Sequence, residues 1–407
     1  MCSILIWVEV VYSSIIQDKY VQIPGGMLII GIGILVTFLL SMENNTLVIT
    51  DVFSDESLPL IVFMIYMFVV GCIVTPDISG HITQWITCAE YLFILIVITY
   101  IIRQNDGTET FHLLLLFEAV VLAIIFLREP IVYDAGRYSI SRRVNPNGLG
   151  MSFTSGIWST LYYHQRKRLP LMISLGLCSV YGYCILLTGS RKAMIAGISI
   201  ILLWFVFVYL PSLKERNWAF GMITLAFTIV LVLIIGKRFI SFYSGSYIEK
   251  RMQMLKYEMS EGKRANMYRY GINLLKDSPF FGIGFRGFSH FYGTYSHTTI
   301  IEVLVSGGAV GSLLYFASYV VSIKKCLCVF LMSKDDERFV IECKISKMLI
   351  ILWIVMLFYT TCIIHPYQFE SYIIFGLIFG QSTVLYKKIT TSPKMPTQNL
   401  RESKYIR

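Results

Sequence analysis

The chain contains little charge for its length. Of its 407 residues, 15% are charged and 56% are hydrophobic, and the mean hydropathy is +0.66. A chain with so few polar side chains cannot cover the surface of a water-soluble globule. The composition therefore excludes the soluble classes and predicts one integral membrane domain over residues 1–407.

Motifs for metal, disulfide and hydrolytic chemistry are also missing. The nine cysteines contain no CxxC pair and lie mostly in apolar segments, which argues against a zinc site or a disulfide framework. No pair of carboxylates accompanies the polar segments, so we expect neither a glycosidase site nor a catalytic metal, and no cofactor. GIGFRG at residues 282–287 fits a dinucleotide fingerprint, but that motif requires a soluble βαβ unit, which the sequence does not offer.

Long apolar runs dominate what is present. Runs of about 17 to 25 residues can cross a bilayer as helices, and about twelve of them predict an all-α polytopic membrane protein. The first run is the weakest, because it is short and contains Glu9. The predicted spans are 3–16, 24–40, 58–74, 85–102, 111–127, 147–163, 170–187, 192–210, 219–235, 299–323, 347–363 and 370–386.

The distribution of lysine and arginine predicts the orientation, because these residues resist translocation in short connections. A cytoplasmic location for the basic tail, residues 387–407, places both termini on the cytoplasmic side. The connections around Arg103, residues 166–168 and residues 324–347 then face the cytoplasm as well. The net charge of +10 is divided between this tail and the outer face, so nucleic acid is not an expected partner.

The longest polar interval, residues 237–298, is predicted to be a large extracytoplasmic loop. Helical spacing between Tyr247 and Lys276 indicates one or two amphipathic helices across the outer mouth of the bundle, ended by Pro279 and the glycines that follow.

Basic residues on the predicted outer face indicate an anion site. Arg191 follows TGS and begins an apolar helix, where free N–H groups and the positive dipole end suit a phosphate. Its planar guanidinium adds bidentate donors. The alternative is an interfacial arginine whose side chain only extends to the aqueous phase. Most of the outer lysines are interpreted as solvated surface charge.

Three short motifs carry a resemblance to a known family. TGSRKA at residues 188–193 and NPNGLG at residues 145–150 precede an ordered set of loop residues. Together they resemble the bacterial O-antigen ligase and polymerase superfamily over about residues 137–315. Thr298 and Tyr268 stand where the family usually has asparagine and tryptophan, and Ser306 stands where it often has an acidic residue. The loop residues are Arg264, Tyr268, Asp277, Pro279, Gly282, Gly284, His297, Gly308 and Gly311.

The resemblance implies transfer of a glycan from a polyprenyl diphosphate carrier to an acceptor hydroxyl, without a metal, on the outer face of the bacterial cytoplasmic membrane. Arginines would stabilise the diphosphate leaving group, and a histidine would accept the proton of the hydroxyl. We therefore expect Arg191, Arg264 and His297 to be catalytic, and His290 and His365 to be structural. The expected substrate-binding residues are Tyr268, Asn145, Asn147, Arg137, Arg269 and Arg286.

Three functions fit this resemblance. The first is a polymerase of lipid-linked repeat units for a capsule, an exopolysaccharide or O-antigen, with polyprenyl diphosphate-linked oligosaccharides as donor and acceptor. The second is a ligase that moves finished glycan to a lipid or protein acceptor, and the third is a polysaccharide flippase or exporter. Besides the lipid bilayer, the implied partners of a polymerase are a flippase and a chain-length regulator.

Overall fold

The computed structural model describes residues 53–104, 107–134, 137–142, 144–214 and 262–392. The predicted spans 3–16, 24–40 and 219–235, the first half of the predicted amphipathic segment and most of the basic tail lie outside the described residues. Each of the nine other predicted spans corresponds to a helix.

Eleven main helices and one hairpin make up the described part of the chain. Two of the helices, α7 and α8, lie in the polar interval, and α6 continues through a π-helical turn, Phe205–Tyr209, into the short segment Leu210–Lys214. The elements are α1 Leu58–Val74, α2 Ile78–Arg103, α3 Gly107–Arg128, β1 Ile131–Asp134, β2 Arg137–Ser139, α4 Pro146–Gln165, α5 Leu171–Thr188, α6 Arg191–Trp204, α7 Lys263–Asp277, α8 Gly287–Tyr292, α9 Thr299–Ser333, α10 Val340–Thr360 and α11 Phe369–Thr391.

Five of the described helices are long and apolar enough to cross a bilayer, and α1 is a shorter apolar helix. The five are α2, α3, α5, α6 with its continuation to Ser212, and α9. They confirm a helical, multi-pass membrane protein, whereas the number of about twelve spans stays a prediction. Helix α9 is longer than the predicted 299–323, because it continues to Ser333.

The β1–β2 hairpin is one departure from the predicted all-α fold. Its strands are antiparallel and pair Ile131 with Ser139 and Val132 with Tyr138. Strands of four and three residues are too short to give a recognisable alternation in sequence. Their β-branched and aromatic residues nevertheless favour extended backbone in this connection between α3 and α4.

Small residues bring the helices close together. A Cβ on Gly376 of α11 would lie 2.8 Å from the Ile98 side chain of α2, and one on Gly380 would lie 2.7 Å from Ile102. A Cβ on Gly156 of α4 would lie 2.4 Å from Ala119 of α3. Such contacts are the usual way in which membrane helices gain packing energy.

Polar contacts distinguish two ends of the bundle. At one end, ion pairs join Lys325 to Glu56 at 2.7 Å and Arg166 to Glu109 at 2.5 Å. At the other end, which we call the site end, lie the connections 129–145, 189–190 and 361–368 together with residues 262–298. The alternation of the described connections agrees with the predicted topology, and the assignment of the site end to the outer face stays a prediction.

Helix α9 is interrupted at Gly308, where φ is 62° and ψ is −162°. Residues 279–284, which we call the docked segment, bind both sides of the break. The N–H groups of Ile283 and Gly284 donate to the carbonyls of Val305 and Ser306, both at 2.9 Å, and Ala309 N–H donates to the Pro279 carbonyl at 2.8 Å. The interruption therefore supplies main-chain partners to an irregular segment.

We predict that Gly308→Ala is much more destabilising than Gly293→Ala. Both residues have positive φ, 62° and 83°, so alanine at either costs about 1–2 kcal/mol in the free energy of unfolding. A Cβ on Gly308 would also lie 2.4 Å from the Phe280 backbone, whereas one on Gly293 meets nothing within 4 Å. Overpacking should cost Gly308→Ala about a further 1–3 kcal/mol, measured by unfolding in detergent. Equal losses would contradict the docking geometry.

Candidate functional site

The TGSRKA turn places two cations at the N-terminus of α6. Gly189 ends α5 in the left-handed conformation, with φ of 62°. Ser190 then caps α6, and its side chain accepts a hydrogen bond from Ala193 N–H at 3.5 Å. Arg191 and Lys192 are the first two residues of α6, and both side chains are half-buried.

Arg137, in strand β2 of the hairpin, holds this turn through hydrogen bonds. Its side chain is only 6% exposed; Nε donates to the Thr188 carbonyl at 3.2 Å, and Nη2 donates to Asn147 Oδ1 at 3.1 Å. Asn145 caps α4 by accepting from Asn147 N–H at 2.9 Å. The three predicted substrate contacts in this region therefore have partners within the protein, and they link β2, α4 and the Arg191 turn.

Helix α7 presents Arg264 and Tyr268 one turn apart. Its buried face consists of Met267 and Gly271, and a Cβ on Gly271 would lie 2.6 Å from Ile301 of α9. Tyr268 is half-buried beside this face, while the Arg264 side chain is exposed and close enough to interact electrostatically with Tyr268. The helix, Lys263–Asp277, overlaps the second half of the segment between Tyr247 and Lys276 for which one or two amphipathic helices are predicted.

His297 lies in a tightly fixed turn before α9. It is one of three described non-glycine residues with positive φ, at 60°. The preceding Ser296 N–H donates to Oε2 of the buried Glu302 at 2.9 Å, and Oε1 of Glu302 accepts from the Tyr367 hydroxyl at 3.1 Å. A strained backbone held by buried hydrogen bonds is typical of functional sites.

Thr298 explains one difference from the family pattern. Its hydroxyl accepts from Ile301 N–H at 3.4 Å and so caps α9. Asparagine, which the family usually has at this position, is also a favoured N-cap residue. The substitution therefore preserves the start of the helix immediately after His297.

The four residues Arg137, Arg191, Lys192 and Arg264 form what we call the cation cluster. The Lys192 ammonium donates a hydrogen bond to the Cys362 carbonyl, and each of the three arginines repels it electrostatically. The next carbonyl, that of Ile363, accepts from the Thr299 hydroxyl at 2.7 Å. These contacts bring α6, α7, the start of α9 and the 361–368 connection together at one place.

The surroundings of His297 favour its neutral form. Burial lowers the pKa of the imidazole below its ordinary value of 6.5, and the positive charges of Arg264 and Lys192 lower it further. Burial raises the pKa of the Tyr268 hydroxyl, although the charge of Arg264 opposes this effect. At neutral pH the site therefore offers an imidazole that can accept a proton and a phenol that can donate a hydrogen bond.

The arrangement suits a large anion. Cations of the cluster lie beside the N-termini of α4 and α6, whose positive dipole ends add to the positive potential. Within the described ranges, no group of three or more His, Cys, Asp or Glu side chains could hold a metal ion. The expected metal independence stays a prediction.

Of the other predicted residues, Arg269, Arg286 and His290 are exposed, whereas His365 is buried and close enough to interact electrostatically with Lys192. The electrostatic interactions of Lys192 and His297 include neither Arg269 nor Arg286, and both of these side chains are exposed. His290 is exposed on α8. His365 is buried, with Nδ1 2.7 Å from the Ser371 hydroxyl and Nε2 3.2 Å from the Met356 carbonyl, as expected for a structural histidine.

Sequence reasoning missed Lys192 and the supporting role of Glu302. Lys192 was interpreted as a solvated surface charge, yet it lies one helical turn before Ala196, which is fully buried. That spacing was the available signal, because residues four apart share a helix face. The partners of Glu302 come from Ser296 and Tyr367, and no spacing in sequence reveals the second of these contacts.

The central part of the chain is similar to a known protein family. Residues 175–316 match the family described as O-antigen ligase, and a search of curated proteins gives no match. The matched region begins in α5 and ends in α9, so it contains the Arg191 turn, α7, the docked segment and His297, whereas Arg137 and the NPNGLG element precede it. The predicted resemblance is confirmed over residues 175–316, which are similar to the O-antigen ligase family.

Proposed function

We propose that the protein is a polymerase of lipid-linked oligosaccharide repeat units. It would transfer the growing glycan from a polyprenyl diphosphate carrier to a sugar hydroxyl of the next lipid-linked unit, for a capsule, an exopolysaccharide or O-antigen. The observation that carries the proposal is the convergence of Arg191, Lys192 and Arg264 beside His297.

The proposed step is a single displacement at the anomeric carbon. The acceptor hydroxyl oxygen forms the new glycosidic bond as the bond between the anomeric carbon and the diphosphate oxygen breaks. The bonding electrons leave with the diphosphate, and the hydroxyl proton moves to the neutral imidazole of His297. The imidazolium later releases this proton to water.

The cation cluster would act on the leaving group. Negative charge on the diphosphate increases as the bond breaks, so fixed guanidinium and ammonium groups stabilise the transition state more than the bound substrate. Arg191 and Arg264 lie on different helices, α6 and α7, so each could contact one of the two phosphates. Lys192, held by the Cys362 carbonyl, adds a third charge that needs little reorganisation.

The neutral His297 fits the role of general base. A base must be unprotonated when the acceptor arrives, and nearby cations favour that state by opposing a further positive charge. Arg264 would thus assist both the proton transfer to His297 and the departure of the diphosphate. It interacts electrostatically with His297 and lies at the proposed diphosphate site.

We favour the polymerase over the ligase because NPNGLG, which we associate with polymerases, packs directly on the Arg191 turn. A Cβ on Gly150 would lie 2.8 Å from the Ala193 Cβ. A ligase would use the same donor site and differ only in the acceptor. An exporter is less favoured, because its polar groups would be expected near the bilayer midplane rather than at the helix ends.

We predict that purified protein with a polyprenyl diphosphate-linked repeat unit and EDTA makes a glycan ladder and releases lipid diphosphate. Arg264→Ala and His297→Ala should each lower the rate by at least about 100-fold, as expected when a transition-state donor or a general base is lost. Lys276→Ala is the matched control, because Lys276 is exposed near the other end of α7. Gel analysis of the labelled glycan measures the rate.

Other results of this assay would change the assignment. Turnover only after addition of a separate lipid or protein acceptor would favour the ligase. Transport of intact lipid-linked units across vesicles without any transfer would favour the exporter. Ladders from Arg264→Ala at the rate of the unmodified protein would overturn the proposed role of the cluster.

We also predict the pH dependence of the reaction. The neutral fraction of His297 falls as pH drops through its pKa, which lies below 6.5, so the rate should fall on the acid side of that value. Lys192→Met removes a charge that opposes the imidazolium and should therefore move this acid limb to higher pH. Lys276→Met should leave the limb in place. A limb that does not move in Lys192→Met would contradict the coupling between the two groups.

A further inference from the structure

Within the docked segment, residues 279–284, Phe281 lies level with the middle of the apolar helix α1, whereas a Cβ on Gly284 would lie 2.9 Å from Thr75, just after the end of α1. Tyr66 of α1 donates its hydroxyl hydrogen bond to the Gly307 carbonyl at 2.9 Å, and the same hydroxyl lies 3.3 Å from the Phe281 carbonyl. Tyr66 is the central residue of α1, eight positions from each end. At 1.5 Å per residue it lies about 12 Å from either end of that helix.

The ends of α1 are marked by polar residues. Glu56 precedes the helix and forms an ion pair with Lys325 at 2.7 Å, and Asp77 follows it and caps α2. The 17 residues between them extend about 26 Å, close to the hydrocarbon thickness of about 30 Å in a bilayer. The level of Tyr66 is therefore inside the hydrocarbon layer.

The side chains of the docked segment suit that level. Phe280 and Phe281 are 65% and 54% exposed. Exposed apolar residues of the adjoining helices continue the same surface, including Ile65 and Val69 of α1 and Leu313 of α9. Two adjacent exposed phenylalanines that continue an apolar surface of the helices form a contiguous patch, which is typical of a contact with lipid.

The main chain of the segment forms hydrogen bonds that a position inside the bilayer requires. Irregular backbone is tolerated at membrane depth only where its polar groups are paired. The break at Gly308 provides part of this pairing, since Val310 N–H donates to the Phe280 carbonyl at 3.2 Å. A local bond adds to it, because Gly282 N–H donates to the Ser278 carbonyl at 3.1 Å. Ser278 Oγ donates to the Gly282 carbonyl at 2.7 Å.

We propose that residues 279–284 form a re-entrant segment that inserts Phe280 and Phe281 among the acyl chains of the bilayer, beside α1 and α9. The segment follows directly after α7, so the bilayer anchors the C-terminal end of the helix that carries Arg264 and Tyr268. The proposal concerns a lipid contact and does not depend on the reaction catalysed.

Photocrosslinking in vesicles tests the proposal. The full chain is reconstituted in dioleoylphosphatidylglycerol vesicles with Phe280→p-benzoylphenylalanine or Phe281→p-benzoylphenylalanine, which leaves the native cysteines in place. After irradiation, peptide mass spectrometry should find phospholipid adducts on the acyl chains. The same replacement at Phe291 and Tyr295, which are 47% and 50% exposed in the polar interval, should give at least tenfold fewer acyl-chain adducts.

Two results would overturn the proposal. Crosslinks from both Phe280 and Phe281 positions to peptides of this chain, or of a second copy, would mean that protein covers the segment. Acyl-chain adducts no more frequent than at the Phe291 and Tyr295 positions would mean that the segment lies at the water interface. Size-exclusion chromatography before reconstitution ensures that only folded variants are compared.

Discussion

Repulsion among like charges is the constraint on which the site end depends. Arg137, Arg191, Lys192 and Arg264 come from three different parts of the chain, and their mutual repulsion opposes the folded arrangement. Rigid contacts offset it: Arg137 is tied to Thr188 and Asn147, Lys192 to the Cys362 carbonyl, and Gly150 allows α4 to approach the Arg191 turn. Binding of an anion would stabilise such a site, because its negative charge would offset the repulsion among the cations.

The same charges organise the groups around them. Among the described residues, burial and the two nearby cations Arg264 and Lys192 favour the neutral form of His297. Glu302 is kept away from the cations by bonding to Ser296 and Tyr367, so it supports the turn without neutralising the cluster. The Glu302 carboxylate thus holds the backbone of the turn before α9, and the cation cluster keeps its positive charge.

Much of this arrangement could be predicted from the sequence, and the remainder has identifiable physical causes. The apolar runs predicted α1 to the residue, because Leu58–Val74 is bounded by polar residues on both sides. Short motifs with fixed spacing predict Arg191, Arg264 and His297 as site residues, and their catalytic role stays a prediction. Lys192 was missed because a lysine beside an arginine resembles solvated charge. The pairing of the docked segment with α9 was missed because main-chain contacts between residues 22 to 30 apart leave no periodic signal.

Helix α9 is bonded to the docked segment on both sides of the break at Gly308. Its first turns also pack against α7, so Arg264 and His297 belong to elements that are packed together. The 361–368 connection joins these elements to the Arg191 turn, because the Cys362 carbonyl accepts from Lys192 and the Ile363 carbonyl accepts from Thr299 of α9. The two sets of cations are therefore linked through main-chain acceptors, and any change in the gap between them would require one of these bonds to break.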